Sequence, residues 1–217
     1  MMFVAGQHIE FMLPDDVRRT YSIATKPSID GVTALELHIR HVPGGHFTQT
    51  LLPKLKERDL MKFKGPLGTF ALDTANDKPI VLVAGGTGFA PIKAMVEHAI
   101  ERGLHRRRPI AFYWGARTRE GLYQIATPQG WTQEHPEIRF TPVVSDPTPA
   151  CEWSGRVGLV HAAVLDDLPD LSGHDVYVCG APAMVEAARA DFAAAGLPDD
   201  AFHADAFLTR ADAAAAA

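Results

Sequence analysis

Two closely spaced glycines followed by a proline form a pattern that can hold a phosphate group. The stretch over residues 79–100 reads PIVLVAGGTGFAPIKAMVEHAI, in which Gly86, Gly88 and Pro91 form the pattern G-x-G-x-x-P. A strand, a glycine turn and a helix start present free N–H groups and the positive end of a helix dipole to an anion. The pattern therefore predicts a dinucleotide pyrophosphate site. On its own, an ordinary strand–turn–helix punctuated by glycine would have the same sequence.

A second group of polar residues forms an R-x-Y-S unit near the start of the chain. On a strand, Arg19 and Tyr21 would share one face, while Thr20 and Ser22 would share the other. A guanidinium can fork onto a phosphate, an aromatic ring can cover a flat heterocycle, and a hydroxyl can donate to a ring nitrogen. Taken alone, a tyrosine and a serine on a strand are also typical of core and edge positions.

Another phosphate candidate follows a break in the β pattern. Gly44 and Gly45 precede a predicted helix start, and the hydroxyl of Thr48 lies within its first turn. This arrangement again offers free N–H groups to an anion. A helix cap after a hairpin explains the same residues equally well.

The predicted secondary structure that positions these residues changes near residue 76. Residues 1–72 are rich in short alternating segments, with a short helix over 47–55. We predict strands over 7–12, 21–24, 34–42, 60–63 and 68–72, with a turn at Gly65-Pro66. The polar stretch 73–79 then ends in proline. We therefore predict a first domain over residues 1–76, folded as an antiparallel Greek-key β barrel.

From residue 79 onward, predicted strands and helices alternate, which indicates an α/β Rossmann-like domain with a parallel sheet. We predict strands over 80–84, 110–114, 140–144, 175–179 and 202–207, and helices over 92–102, 122–131, 159–165 and 182–195. This second domain would span residues 77–210. The alanine-rich residues 211–217 would form a disordered tail.

Composition narrows the class of protein. The 217 residues carry a net charge of −5, which does not favour nucleic-acid binding. Arg106–Arg108 is interpreted as a solvated turn, and the ten histidines as surface or structural residues. No apolar run has the length of a membrane span, so we expect no membrane partner and a cytoplasmic location. Two cysteines make neither a disulfide framework nor a metal knuckle, and no metal site is expected.

Five motifs in this order resemble the ferredoxin–NADP reductase superfamily. They are R-x-Y-S at 19–22, G-G-x-x-T at 44–48, G-x-G-x-x-P at 86–91, C-G-x-P at 179–182 and D-A-F at 205–207. The resemblance covers nearly the whole chain and implies a flavin-binding barrel followed by an NAD(P)H-binding domain. Within the superfamily, the chain looks most similar to CDP-6-deoxy-delta-3,4-glucoseen reductases and to phenol and phthalate oxygenase reductases.

This resemblance implies that the first domain binds FAD. Arg19 would hold a flavin phosphate, Tyr21 would pack on the isoalloxazine ring, and Ser22 would bond near its N5 atom. Gly45 and Thr48 would cradle the pyrophosphate, which favours FAD over FMN. Further flavin-binding candidates are Gly44, His38 and Arg40.

By the same resemblance, the second domain would bind NADH or NADPH. Thr87 would hold the nucleotide together with Gly86, Gly88 and Pro91. Cys179 and Gly180 would lie beside the nicotinamide, and Phe207 would cover the far face of the flavin. Arg117, after the second strand of this domain, could meet a 2′-phosphate, whereas the resemblance favours NADH. Tyr21, Ser22 and Cys179 would be the catalytic residues.

The implied activity is a flavoprotein reductase that passes electrons from NAD(P)H through FAD. The acceptor would be a [2Fe–2S] ferredoxin-type domain or an oxygenase or dehydratase component. Relatives have strands ahead of the F-x-x-G-Q segment at 3–7, so the barrel is expected to lack its first strands. The four cysteines of a plant-type cluster are not in this sequence. A free NAD(P)H:flavin reductase and a non-catalytic nucleotide-binding module stay open as alternatives.

Overall fold

A computed structural model describes residues 1–14 and 16–207, which form one small antiparallel sheet and one larger parallel sheet. The predicted tail at 211–217 and the last residues of the second predicted domain lie outside this range. The domain boundary at residue 76 stays a prediction. Within the described ranges, no helix is long and apolar enough to cross a membrane.

The antiparallel sheet has three strands in the order β2-β1-β3. They are β1 (His8–Met12), β2 (Arg18–Ser22) and β3 (Phe63–Leu67). Ile9 lies opposite Tyr21, and Phe11 lies opposite Arg19. Because residues directly opposite each other project from the same face, Arg19 and Tyr21 share a face as expected. A helical turn over His46–Leu51 places Phe47 against that face, 5.5 Å from Tyr21 between ring centroids.

Three strand predictions in this half are wrong. Residues 34–42 make only a single bridge, between Leu37 and Ile23, and the side chains of Glu36 and His38 have partners in the second half. Segments 60–63 and 68–72 were predicted on either side of a turn, but β3 runs through Gly65 and Pro66 instead. Since β3 pairs with β1 alone, it is an edge strand, and an edge strand tolerates a proline that cannot donate to a ladder.

The parallel sheet has six strands in the order β7-β6-β5-β4-β8-β9. The strands are β4 (Ile80–Gly85), β5 (Ile110–Ala116), β6 (Ile138–Val144), β7 (Arg156–Val157), β8 (Asp175–Gly180) and β9 (Phe202–Ala206). The chain moves outward from β4 to β7 and then returns to place β8 on the other side of β4. The order of the strands therefore reverses between β4 and β8, which is where such sheets bind ligands.

Helices cover both faces of this sheet, and each face has its own core. They are α1 (Phe89–Glu101), α2 (Ala126–Glu134), α3 (Val160–Asp167) and α4 (Pro182–Ala194). One core contains aromatic residues of α1, α2 and β5, while the other is packed by α3 and α4. Ala5 and Phe70 of the first half join the core around α1. The antiparallel sheet is thereby attached to the first helix of the parallel domain.

The interpretation of Arg106–Arg108 as a solvated turn is wrong for its last residue. Arg108 is fully buried, and its Nη2 atom lies 2.6 Å from Oδ2 of Asp175 at the start of β8. The same guanidinium donates to the carbonyl oxygens of Lys78 and Asp73 in the segment between the two sheets. Arginine spacing could not reveal this, because the carboxylate that partners Arg108 lies in a distant strand.

Candidate functional site

The glycine turn lies at the point where the strand order reverses. β4 ends at Gly85, and α1 begins at Phe89, with Pro91 in its first turn as predicted. Gly86 has a φ of 53° and nothing within 4 Å of the position that a Cβ would occupy. This open space in front of a helix start can accept a nucleotide phosphate.

Gly88 fixes the turn against the neighbouring strand. A Cβ at this position would lie only 2.1 Å from the carbonyl oxygen of Cys179, so no larger residue fits without a backbone shift. The G-x-G-x-x-P and C-G-x-P motifs are therefore in direct contact at the carboxyl ends of β4 and β8. Thr87 lies half-buried between the two glycines.

Cys179 is a fully buried thiol at this contact. Burial raises its pKa well above the ordinary value, and the nearby charge of Asp205 raises it further. A thiol in this environment stays protonated and packs as a small apolar group rather than acting as a nucleophile. The next residue, Gly180, accepts a hydrogen bond of 2.8 Å at its carbonyl oxygen from the N–H of Phe207. The C-G-x-P and D-A-F motifs thus meet side by side.

Asp205 lies opposite Cys179 in the neighbouring strand and links the two halves of the site. Burial raises the pKa of its carboxyl group, while the charge of His8 acts in the opposite direction. His8 belongs to β1, where it lies opposite Ser22. Ser22 is buried on the same face. The serine of the R-x-Y-S unit is therefore on the same face of the antiparallel sheet as His8.

Tyr21 projects from the other face of the same strand. It is half-buried beside Phe11 and Phe47, and this burial raises the pKa of its phenol to about 12, partly opposed by the charge of Arg19. The Nη1 atom of Arg19 donates to the carbonyl oxygen of Arg18 at 2.7 Å, and its side chain is partly exposed. The phenol stays neutral, so its ring serves as an aromatic surface.

The G-G-x-x-T segment forms a turn whose polar groups are already paired. Gly44 has a φ of 74°, and its N–H donates to the Oε1 atom of Gln49. The Thr48 hydroxyl donates to the carbonyl oxygen of Val42 at 3.2 Å and accepts from the N–H of Val42 at 3.1 Å. Thr48 therefore closes the turn, and the N–H of Gly45 donates to the carbonyl oxygen of Val42 at 2.9 Å, so the N–H groups of both glycines have partners within the segment.

The structure places the remaining predicted residues away from these contacts. His38 lies between the two halves, with Nε2 2.8 Å from Oε1 of Glu36 and Nδ1 2.6 Å from the hydroxyl of Tyr123. Arg40 is exposed. Arg117 is also exposed, and its Nη2 atom lies 3.4 Å from Oδ2 of Asp146 after β6.

Two contributors to the site were not predicted from the sequence. Trp114 donates its indole N–H to the carbonyl oxygen of Gly86 at 2.9 Å, and its ring stacks on Phe89 at 4.1 Å. His8, next to Asp205, is the second. The strand containing Trp114 was predicted, but a tryptophan at a strand end gives no signal of a hydrogen bond to a turn.

The residues present fit a dinucleotide. The Gly86 turn offers open space in front of a helix start, and Gly88 brings it against Cys179. Among residues 1–14 and 16–207, no group of three or more histidine, cysteine, aspartate or glutamate side chains is placed to hold a metal ion.

Family models match both halves of the chain. Residues 1–72 match the oxidoreductase FAD-binding domain, and residues 82–190 match the oxidoreductase NAD-binding domain. Among curated relatives, the chain is 42% identical over 205 residues to the protein RfbI of Salmonella typhimurium, covering 94% of this chain and 59% of that protein. It is also 42% identical over 208 residues to the CDP-6-deoxy-L-threo-D-glycero-4-hexulose-3-dehydrase reductase of Yersinia pestis, covering 96% and 60%.

Solved structures agree with these matches. The cytochrome P450 reductase GcoB of Amycolatopsis superposes with a TM-score of 0.85 at 37% identity, over 95% of this chain and 62% of that one. A phthalate dioxygenase reductase, at 20% identity and a TM-score of 0.72, shares the fold. The chain spans about three fifths of the length of the curated relatives named above. It belongs to the ferredoxin–NADP reductase superfamily of oxidoreductases, with an FAD-binding domain followed by an NAD-binding domain.

Proposed function

We propose that the chain takes electrons from NADH into bound FAD and delivers them singly to an iron–sulfur domain or partner protein. The observation that carries this proposal is the contact of Gly88 with Cys179, with Asp205 beside it. That contact joins the nucleotide-binding turn to the strand end facing the flavin-binding half. Relatives are named as reductases of a hexulose dehydrase and of a terephthalate dioxygenase, which supports an oxygenase or dehydratase component as the acceptor.

In this proposal the protein binds and aligns two rings. FAD and NADH, when bound, supply hydride and electron transfer. The glycine turn would hold the NADH pyrophosphate, and Arg19 a flavin phosphate. Tyr21 would cover one flavin face and Phe207 the other, while Ser22 would donate near the ring nitrogen. Cys179, with its neutral buried thiol, would set the position of the nicotinamide without taking part in covalent chemistry.

The surroundings of Arg117 favour NADH over NADPH. Its guanidinium lies 3.4 Å from the carboxylate of Asp146, so an added 2′-phosphate would bring a further negative charge next to an acid. A ribose hydroxyl carries no such charge. This supports the NADH preference proposed from the resemblance.

The first experiment records the visible spectrum of the purified chain before and after NADH is added without oxygen. Retained yellow flavin that bleaches with NADH supports the proposal. A chain that loses FAD on gel filtration, yet reduces FAD that is added in excess with NADH, would favour a free flavin reductase. The paired polar groups of Thr48 suit that alternative, because they weaken the pyrophosphate clamp. Binding of NADH without flavin reduction would leave only a nucleotide-binding module.

A second experiment concerns the acceptor. With NADH, the chain should reduce ferricyanide or a small dye readily and cytochrome c slowly, because a large one-electron partner normally needs an intermediate carrier. Adding a plant-type ferredoxin should restore cytochrome c reduction. Rapid cytochrome c reduction without ferredoxin, insensitive to superoxide dismutase, would remove the iron–sulfur partner from the proposal.

A further inference from the structure

His38 is a buried histidine whose two ring nitrogens both have partners. Only 5% of its side chain is exposed. Glu36 can only accept, and burial raises the pKa of the Tyr123 phenol, with the Glu36 charge acting in the same direction. Nε2 of His38 lies 2.8 Å from Oε1 of Glu36, to which it donates, and Nδ1 lies 2.6 Å from the hydroxyl of Tyr123.

The hydrogen bond between His38 and Tyr123 crosses from one half of the protein to the other. His38 follows the single bridge made by the first half at Leu37, whereas Tyr123 follows β5 in the parallel domain. Glu36 also crosses, because one of its carboxylate oxygens lies 3.0 Å from Nζ of Lys93 on α1. The segment 36–38 is thus held to the parallel domain by two polar contacts.

The same pair packs against the residues that hold the glycine turn. The His38 ring lies 5.8 Å from that of Phe89, the first residue of α1. Tyr123 meets Trp114 edge-on, with centroids 5.3 Å apart. Trp114 in turn donates to the carbonyl oxygen of Gly86. Two aromatic contacts therefore connect the hydrogen bond between the halves to the proposed nucleotide-binding turn.

We infer that His38 and Tyr123 form a positioning pair, which sets where the flavin-binding half sits relative to the glycine turn and so controls the alignment for hydride transfer. This inference rests on the proposed function. It assigns His38 to the interface rather than to the flavin itself. A further ion pair between α1 and the first half, Lys26 to Glu101 at 2.6 Å, lies at the far end of the helix, and both of its side chains are exposed.

The test uses stopped-flow flavin reduction in Tyr123→Phe, His38→Gln and the double variant. Tyr123→Phe removes only the hydroxyl, and His38→Gln keeps a donor for Glu36 but not the bond to Tyr123. Each should slow the limiting reduction rate roughly three- to tenfold, the effect of losing one hydrogen bond. The dissociation constant for NADH should change less than about twofold, and the long-wavelength charge-transfer absorbance should weaken.

The double variant should be no slower than either single variant, because the two side chains act through one bond. Lys26→Met is the matched control, since it also removes a contact between the halves, and it should leave the reduction rate and the charge-transfer band unchanged. Lower thermal stability with an unchanged rate and band would show that the pair is merely structural. If the double variant slows flavin reduction by the product of the two single effects, the residues act separately. That result would also overturn the inference.

A readout without cofactors separates this inference from the proposed function. In the flavin-free chain, amide hydrogen exchange at residues 86–88 should be several-fold faster in Tyr123→Phe than in the unaltered protein. If NADH fails to reduce flavin in the unaltered protein, the proposed function is refuted, yet faster exchange would still support the link between the pair and the turn. Unchanged exchange in the variant would overturn the link itself.

Discussion

Removing the guanidinium of the buried Arg108 should lower the free energy of unfolding by several kcal/mol. Arg108 and Asp175 are both buried, and Nη2 and Oδ2 are 2.6 Å apart. The substitution Arg108→Met preserves much of the side-chain volume but removes donors from the carbonyl oxygens of Lys78 and Asp73. It leaves Asp175 with a hydrogen bond from Asn76 and a distant ammonium, 3.8 Å away on Lys78.

The magnitude follows from that geometry. Breaking a buried pair by removing one partner costs about 3–5 kcal/mol, because a charge is left uncompensated. Two carbonyl oxygens that lose their donors push the cost toward the upper end of that range. For a chain of this size, each 1 kcal/mol lowers Tm by about 2–4 °C, so Arg108→Met should unfold roughly 6–20 °C earlier.

Urea denaturation followed by tryptophan fluorescence measures this cost, since Trp114 and Trp131 are buried in the core. The adjacent Arg107→Met is the matched control: its guanidinium is exposed and 3.8 Å from Asp77, so the loss should stay below about 0.5 kcal/mol. The double variant Arg108→Met/Asp175→Leu should lose less than the sum of its single changes. A loss below about 1 kcal/mol for Arg108→Met would refute the reasoning.

Three further predictions concern the site. Gly88→Ala should lower the free energy of unfolding by about 1–3 kcal/mol and weaken NADH binding in titrations, because its Cβ would meet the Cys179 carbonyl. An unchanged free energy of unfolding and an unchanged NADH affinity would mean that the turn shifts freely to accommodate the added methyl group. Burial raises the folded-state pKa of Asp205 above the ordinary value of 3.8, so its contribution to stability is present below that value and declines as the pH rises through the folded pKa. Asp205→Asn should remove this decline and so raise the free energy of unfolding at pH 7, as measured by urea denaturation between pH 4 and 7. A variant that is less stable than the unaltered protein at pH 7 would contradict this prediction. Asp146→Asn should raise kcat/KM for NADPH severalfold with little change for NADH, because Arg117 is released to meet a 2′-phosphate; equal changes for both cofactors would contradict the NADH preference.

The parts of the fold that local pattern determines could be predicted from the sequence. The apolar run before Gly86 and the helical spacing after Pro91 identified β4, the turn and α1, since strand and helix periods are local properties. The shared face of Arg19 and Tyr21 followed from the alternation of a strand. The Gly88–Cys179 contact brings two of the motifs together, while the cofactor roles of these residues stay predictions.

What could not be predicted depends on partners far away in sequence. Residues 34–42 alternate as a strand does, but their polar side chains bind Lys93 and Tyr123 instead of marking a solvent face. Arg108 sits in a basic run that is typical of exposed turns, yet its partner Asp175 lies 67 residues later. Hydrophobic periodicity carries no information about which distant polar group a given side chain will meet.

The position of β8 in the centre of the sheet has a consequence during synthesis on the ribosome. β4 emerges early, but one of its two edges stays unpaired until Gly180 has left the exit tunnel, because β8 is the strand that covers it. The segment between the halves also lacks one of its contacts until then, since the backbone N–H of Asp73 donates to the hydroxyl of Tyr177, 104 residues later. A nascent chain stalled before β8 therefore exposes an apolar parallel edge, which is a site for chaperone binding or for aggregation.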